Sequence, residues 1–178
     1  MLARHIKEIL RDKALVTPRR DGRTILREKD VMELELADMT SDITIINMRK
    51  IGSLSGVKDG EWTQICDFLL LFEDGDKDYA IFIELKKTLD ENSKEKGKEQ
   101  LRRSLPFLNY LHSVCELQYG TNFNEPIVKY TIVAARRSPR FDKHPVRERY
   151  PLPTENYKEI SVTPFVDTEI RFNSLMRS

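Results

Sequence analysis

Residues 66–87, CDFLLLFEDGDKDYAIFIELKK, constrain this chain more than any other stretch. Two runs rich in β-branched, aliphatic and aromatic residues flank a short polar turn, which is the pattern of a β-hairpin. Each run also carries charge where a buried strand should not tolerate it: Asp67 at the head of the first, Glu84 and Lys86 at the tail of the second. Side chains alternate along a strand, so Glu84 and Lys86 share one face and Leu85 takes the other.

Turn parity then places Asp67. A two-residue Gly75-Asp76 loop pairs Asp74 with Lys77 and, counted back, Asp67 with Glu84; a four-residue loop over 74–77 keeps that register. An Asp74-Gly75 turn shifts the pairing by two and sets Asp67 opposite Phe82, diagonal to Glu84. All three put Asp67 and Glu84 on the same face, and only an odd-length loop or a bulge separates them. Directly opposed residues have Cβ atoms about 4.5–5.5 Å apart, where like charges repel. Two carboxylates in that position need a shared proton or a cation between them. Mg²⁺ meets the need with oxygen ligands, taking one or two carboxylates plus water and phosphate. Lys86, about 7 Å further along the same face, is a point charge able to hold a phosphate or assist an attacking water. Two acids and a lysine around one metal form a phosphodiester-cleaving constellation. The competing reading is a Glu84–Lys86 ion pair where the strand meets solvent, with Asp67 merely beginning the strand.

The remainder of the chain supplies a frame. Leu2, Ile6, Ile9 and Leu10 recur at helical spacing, predicting an amphipathic helix over 2–14 that Pro18 and Gly22 end. Alternation in VMELELADMTSDITIINM predicts strands near 31–37 and 43–49, with a helix over 28–38 as the alternative. Residues 52–60 read as a loop. Leu101, Leu105, Leu108, Leu111 and Cys115 mark one stripe of a long helix, which Gly97 and Pro106 weaken. PIVKYTIVAA predicts a buried strand over 127–135, and EISVTPFV a last, shorter one. Strands with a long helix between them indicate an α/β domain, and 178 residues suit a single one, spanning 1–178.

Composition excludes several classes. Charged residues are 33% and hydrophobic ones 39%, as in ordinary globular chains. The longest apolar run, 68–72, is too short for a bilayer, and no signal-peptide core is present. Cys66 and Cys115, without ligand spacing, read as reduced core thiols of a cytoplasmic protein. His5, His112 and His144 show no ligand spacing, and no Walker, GxGxxG or GxSxG motif occurs. Net charge is +1, but the basic residues cluster. Residues 11–29 hold seven Lys/Arg against three Asp/Glu, and residues 136–149 hold six against two. Such segments suit phosphate backbones or, more blandly, solvated loops.

Asp67, a hairpin, the ELK of Glu84-Leu85-Lys86 and a following helix with Gln100 together resemble the PD-(D/E)xK nuclease superfamily. The residue before the acid, usually Pro, is Cys66 here, and the similarity covers about 62–135. The resemblance implies a restriction-endonuclease-like α/β fold, a mixed central sheet flanked by helices. It implies that Asp67, Glu84 and the Leu85 carbonyl bind Mg²⁺ or Mn²⁺, that Lys86 positions or activates the water, and that Gln100 supports the site. In the RecB-type branch Tyr often follows that Gln by four residues; Ser104 stands there instead. The superfamily often adds an acid from its first core helix, for which Glu8, Glu33 and Glu35 are the candidates. The expectation is therefore a metal-dependent nuclease, on DNA before RNA, alone, as a homodimer or in a larger assembly, with a defence or mobile-element role fitting the resemblance. Arg136, Arg137, Arg140, Lys143 and Arg147 would bind the substrate backbone. A non-catalytic nucleic-acid-binding or scaffold protein on the same fold, or a nuclease acting on RNA, are the alternatives.

Overall fold

The computed structural model describes residues 2–19, 21–39, 42–51, 64–136 and 151–177. The predicted hairpin forms its centre. β5 (Phe68–Asp74) and β6 (Lys77–Lys86) pair antiparallel, with Asp74 opposite Lys77 and Phe68 opposite Ile83. This is the register of the Gly75-Asp76 loop. Gly75 supplies a φ of +63° at the first central position, the type II′ requirement that lets a two-residue turn match the twist of its strands.

Seven strands make the main sheet, in the order β1-β4-β5-β6-β7-β9-β8. β1 (Leu15–Val16), β4 (Thr44–Asn47), β5 and β6 run antiparallel in turn. β6, β7 (Ile127–Ala134) and β9 (Ile160–Val166) are mutually parallel, and β8 (Glu155–Tyr157) closes the edge antiparallel to β9. The fold is thus mixed α/β around a mixed sheet. A return from β6 to a parallel β7 needs a long crossover, and α2 (Glu91–Tyr119) provides it. Asp90 and Ser93 close a reciprocal capping box at its start, and Gly120 ends it at φ +62°. The helix runs through both predicted breakers. Pro106 lies on its exposed side, where a carbonyl freed by the missing N–H reaches water.

β5 and β6 read as continuous apolar runs because both of their faces are covered. Leu69, Leu71, Ala80 and Phe82 pack with Leu101, Leu108 and Leu111 of α2 and with Leu2 and Ile6 of α1 (Leu2–Ile9). Phe68, Leu70, Ile81, Ile83 and Leu85 pack the other way, onto Leu26, Leu34, Leu36, Ile170 and Leu175. That opposite layer is a second sheet, ordered β10-β3-β2, with the short α3 (Phe172–Arg177). β2 (Thr24–Glu28) and β3 (Met32–Ala37) form an antiparallel hairpin, and β10 (Glu169–Arg171) adds parallel to β3. Helices therefore cover only one face fully. The expected mixed sheet flanked by helices is thus present, and on the second face α3 shares the covering with a three-stranded sheet. The predicted 2–14 helix stops at Ile9 and resumes as a 3₁₀ turn over 12–14. Segment 28–38 is a hairpin and strand, not a helix. The predicted loop over 52–60 lies outside the described residues. No helix among the described residues is long and apolar enough to cross a membrane.

α2 lies close on the sheet because Gly97 has no side chain. A Cβ there would sit 2.9 Å from Ile132 Cδ1 and 3.2 Å from Lys86 Cε. Gly97→Val should therefore overpack this contact and destabilise the fold by about 1–3 kcal/mol, read as a lower urea midpoint at unchanged slope. An unchanged midpoint would mean that the helix has room to spare.

Candidate metal and nucleic-acid site

Asp67 sits at the head of β5, just outside the regular ladder. Its N–H donates to the Ile83 carbonyl at 3.1 Å, and its own carbonyl accepts from Met48 N–H at 2.9 Å. The side chain takes the place of a further strand residue: Oδ2 accepts the Leu85 N–H at 2.8 Å. A strand residue presents its N–H and C=O on the same edge, so the Leu85 carbonyl also projects towards β5, past Asp67. Glu84 faces α2 beside Phe82, and both carboxylates are 1% exposed. Lys86, on the same face, donates to Glu84 Oε1 and to Gln100 Oε1, each at 2.6 Å. The structure thus brings Asp67, Glu84, Leu85, Lys86 and Gln100 to one end of β6.

Burial, and then the charge of Asp67, push Glu84 up to about 8 despite Lys86. Burial also raises Asp67, opposed by the Leu85 N–H and by Arg49. Burial and mutual repulsion thus favour proton uptake by the metal-free pair. Two oxygens, Asp67 Oδ1 and Glu84 Oε2, are buried without a hydrogen-bond partner. Arg49 Nε lies 2.6 Å from that Oδ1 as an ion pair, but its N–H is not aligned on the oxygen. Cys66 is a sealed thiol whose pKa burial drives far up; its N–H donates to Ser104 Oγ at 2.9 Å. Ser104, in the position where the resembled branch often has Tyr, bolts the approach to Asp67 onto α2.

None of the expected N-terminal acids reaches the pair. Glu8 engages Arg4 and Tyr119 on the surface, Glu33 pairs with Arg27, and Glu35 with Arg23. On β3, Glu33 and Glu35 belong to the second sheet's polar face, a consequence of the hairpin that replaces the alternative helix. The acid that does approach is Glu28, at the end of β2, whose Oε1 pairs with Arg49 Nη1 at 2.5 Å. Burial and the Asp67 charge raise its pKa. Arg49 and Glu28 escaped the sequence reading because they arrive through the β4–β5 register and the packing of the second sheet, which no short turn fixes. Arg136 is described and exposed, its carbonyl accepting from Leu89 N–H at 2.8 Å. Arg137, Arg140, Lys143 and Arg147 lie outside the described residues.

No protein-family model, curated protein or solved structure matches this chain. The chemistry rests on its own geometry. Among the described residues no group of three or more His, Cys, Asp or Glu side chains is placed to hold a metal. Two buried carboxylates, each with an oxygen lacking a hydrogen bond, beside a strand carbonyl, nevertheless form an all-oxygen set that fits Mg²⁺ or Mn²⁺, since such ions complete their shell with water and phosphate.

A raised carboxylate pKa has a defined stability signature. With Glu84 raised from 4.5 to about 8, the folded pair holds more proton in that window than the unfolded chain does. Metal-free stability therefore falls as pH rises through that window. Glu84→Gln, a neutral isostere, should lose this component. In EDTA its melting temperature should drop less from pH 5 to 8 than that of wild type; equal drops would refute the assignment.

Proposed function

We propose that this chain is a metal-dependent nuclease of the PD-(D/E)xK kind, on a restriction-endonuclease-like fold, hydrolysing phosphodiester bonds, with DNA as substrate ahead of RNA. The observation that carries the proposal is the pair of buried carboxylates, Asp67 and Glu84, each with an oxygen lacking a hydrogen bond, beside a lysine fixed on the same face. Asp67, Glu84 and the Leu85 carbonyl would hold Mg²⁺ or Mn²⁺. When bound there, such an ion supplies Lewis-acid polarisation of the scissile phosphate.

The chain's own residues account for the rest. Glu84 must give up its proton to serve as a ligand, so metal uptake at neutral pH should release protons. Lys86 has two of its three ammonium donors engaged, by Glu84 and Gln100, which leaves one for a water or a phosphate oxygen. Gln100 positions that ammonium and fixes it over the carboxylates. The ionic contact alone is an ordinary Glu–Lys pair; the second tether, from the crossover helix, favours a positioned group. The basic segment beginning at Arg136 follows β7, whose Ala134 lies opposite Lys86. The chain thus leaves the sheet at the end that carries the site, which favours the segment as a contact for the nucleic-acid backbone.

The test is incubation of supercoiled DNA, single-stranded DNA and RNA with Mg²⁺, Mn²⁺ or EDTA. Wild type should cleave only with metal. Asp67→Asn, Glu84→Gln and Lys86→Met, which keep side-chain size, should each lower the rate on the order of 10²-fold or more while remaining folded. Millimolar Mn²⁺ should raise the melting temperature of wild type and much less that of Glu84→Gln. Equal cleavage by all three variants, or equal melting shifts, would place the site elsewhere.

A further inference from the structure

Arg49 presents an arrangement that the nuclease reading leaves unexplained. The β4–β5 register continues past its last paired residues, Asn47 and Phe68, so that Met48 N–H meets the Asp67 carbonyl. This fixes the 3₁₀ turn over 48–50 beside Asp67 and delivers the next side chain, Arg49, to it. The guanidinium spans two acids from different sheets, with Nε at 2.6 Å from Asp67 Oδ1 and Nη1 at 2.5 Å from Glu28 Oε1. Its side chain is 48% exposed, whereas that of Lys86 is 17% exposed. The contact with Asp67 is ionic but unaligned, for Oδ1 counts no hydrogen bond. One site therefore has two cations of different character. Lys86 is enclosed and tethered by Gln100; Arg49 is half in solvent and holds Asp67 by charge alone.

We propose that Arg49 is an exchangeable counter-ion, pairing with Asp67 until a divalent cation replaces it there and then pairing with a phosphate of the bound nucleic-acid backbone. The inference rests on the nuclease reading and adds a residue and a handover to it. Three features support it. A divalent ion on Asp67 repels a guanidinium within a few ångströms, and Glu28, 11% exposed, keeps that guanidinium at the mouth of the site instead of releasing it. Arg carries five N–H donors in a planar fork suited to phosphate, and its contacts with the two carboxylates are made through Nε and Nη1. Half-exposure gives a ligand from solvent access to the guanidinium.

The exchange has a sign that a structural role lacks: removing Arg49 should strengthen metal binding. Mn²⁺ affinity of the full chain, read from the electron paramagnetic resonance of the free ion, should rise in Arg49→Gln by roughly tenfold, because a charge competing at short range has gone. Arg49→Met, with no charge at all, is the second variant should the first fail to fold. A duplex oligonucleotide titrated in Ca²⁺ over a salt series should bind both variants more weakly, with the slope shallower by about 0.9 for the one lost phosphate contact. Mn²⁺ affinity equal to or below that of wild type in folded variants would overturn the exchange. An unchanged oligonucleotide slope would overturn the phosphate contact. If wild type and both variants alike bind no Mn²⁺, the nuclease reading itself falls and takes this inference with it.

Discussion

Two carboxylates driven into the edge of a hydrophobic core are the constraint around which this fold is arranged. A lone buried carboxylate is strongly disfavoured, and two side by side are worse. The structure answers with several partial remedies, each of which demands something of the backbone. Asp67 can accept the Leu85 N–H only because β5 stops at Phe68 and leaves that donor without a strand partner. Glu84 is eased by Lys86, whose stem passes close beneath α2 at Gly97, where a Cβ would come within 3.2 Å of it. Arg49 reaches Asp67 because β4 ends two residues earlier, at Asn47, and passes into a tight turn. What remains is a raised Glu84 pKa and one oxygen on each carboxylate that lacks a hydrogen bond. Apolar residues of similar size would leave such a position no less stable. The arrangement is hard to explain by folding alone.

Legibility in the sequence followed the range of each interaction. The hairpin was readable because a two-residue loop fixes register locally, and register in turn fixes the face of every side chain. The positions of Gly75 and Asp76 alone thus give the pairing from Asp74–Lys77 back to Phe68–Ile83, and Asp67 follows just beyond it, bonded to Ile83 and Leu85. Strand β7 and the core stripe of α2 were likewise readable from apolar pattern. The second sheet was not: β2 reads TILRE, five residues with two charges, and it earns its place only by pairing with β3 and covering Phe68 and Leu70. β10 has three residues and no pattern. Glu28 and Arg49 were missed for the same reason, since each reaches the site through contacts between elements distant in sequence.

The two breakers in α2 show the same lesson in reverse. Propensity counts Gly97 and Pro106 against a helix, by roughly 1 and 3 kcal/mol relative to Ala, yet the helix spans 91–119. Gly97 suits its place because a Cβ there would crowd the side chains of Lys86 and Ile132. Pro106 is tolerated because it faces solvent. Ser104 and Gln100, one turn apart on the sheet-facing side, fasten that helix to Cys66 and Lys86 respectively. The helix is therefore a positioning element as much as a crossover. It holds the backbone before one carboxylate and the ammonium beside the other.

The direction of the strands completes the arrangement. β6, β7 and β9 are parallel, so their carboxyl ends lie together, and in open α/β sheets that end is where ligands bind. Antiparallel β5 contributes its amino end to the same place, which is how a residue from the start of one strand meets residues from the end of the next. Positive charge gathers there as well: Lys86 enclosed, Arg49 half in solvent, and Arg136 exposed on the way out of β7. Their increasing exposure runs outward from the carboxylates. A polyanion approaching this end would meet exposed, hydrated charge first and enclosed, desolvated charge last. That order favours loose capture by the outer residues and strict geometry at the inner ones, since electrostatic interactions strengthen as water is excluded. The gradient follows from where each strand ends rather than from any single residue.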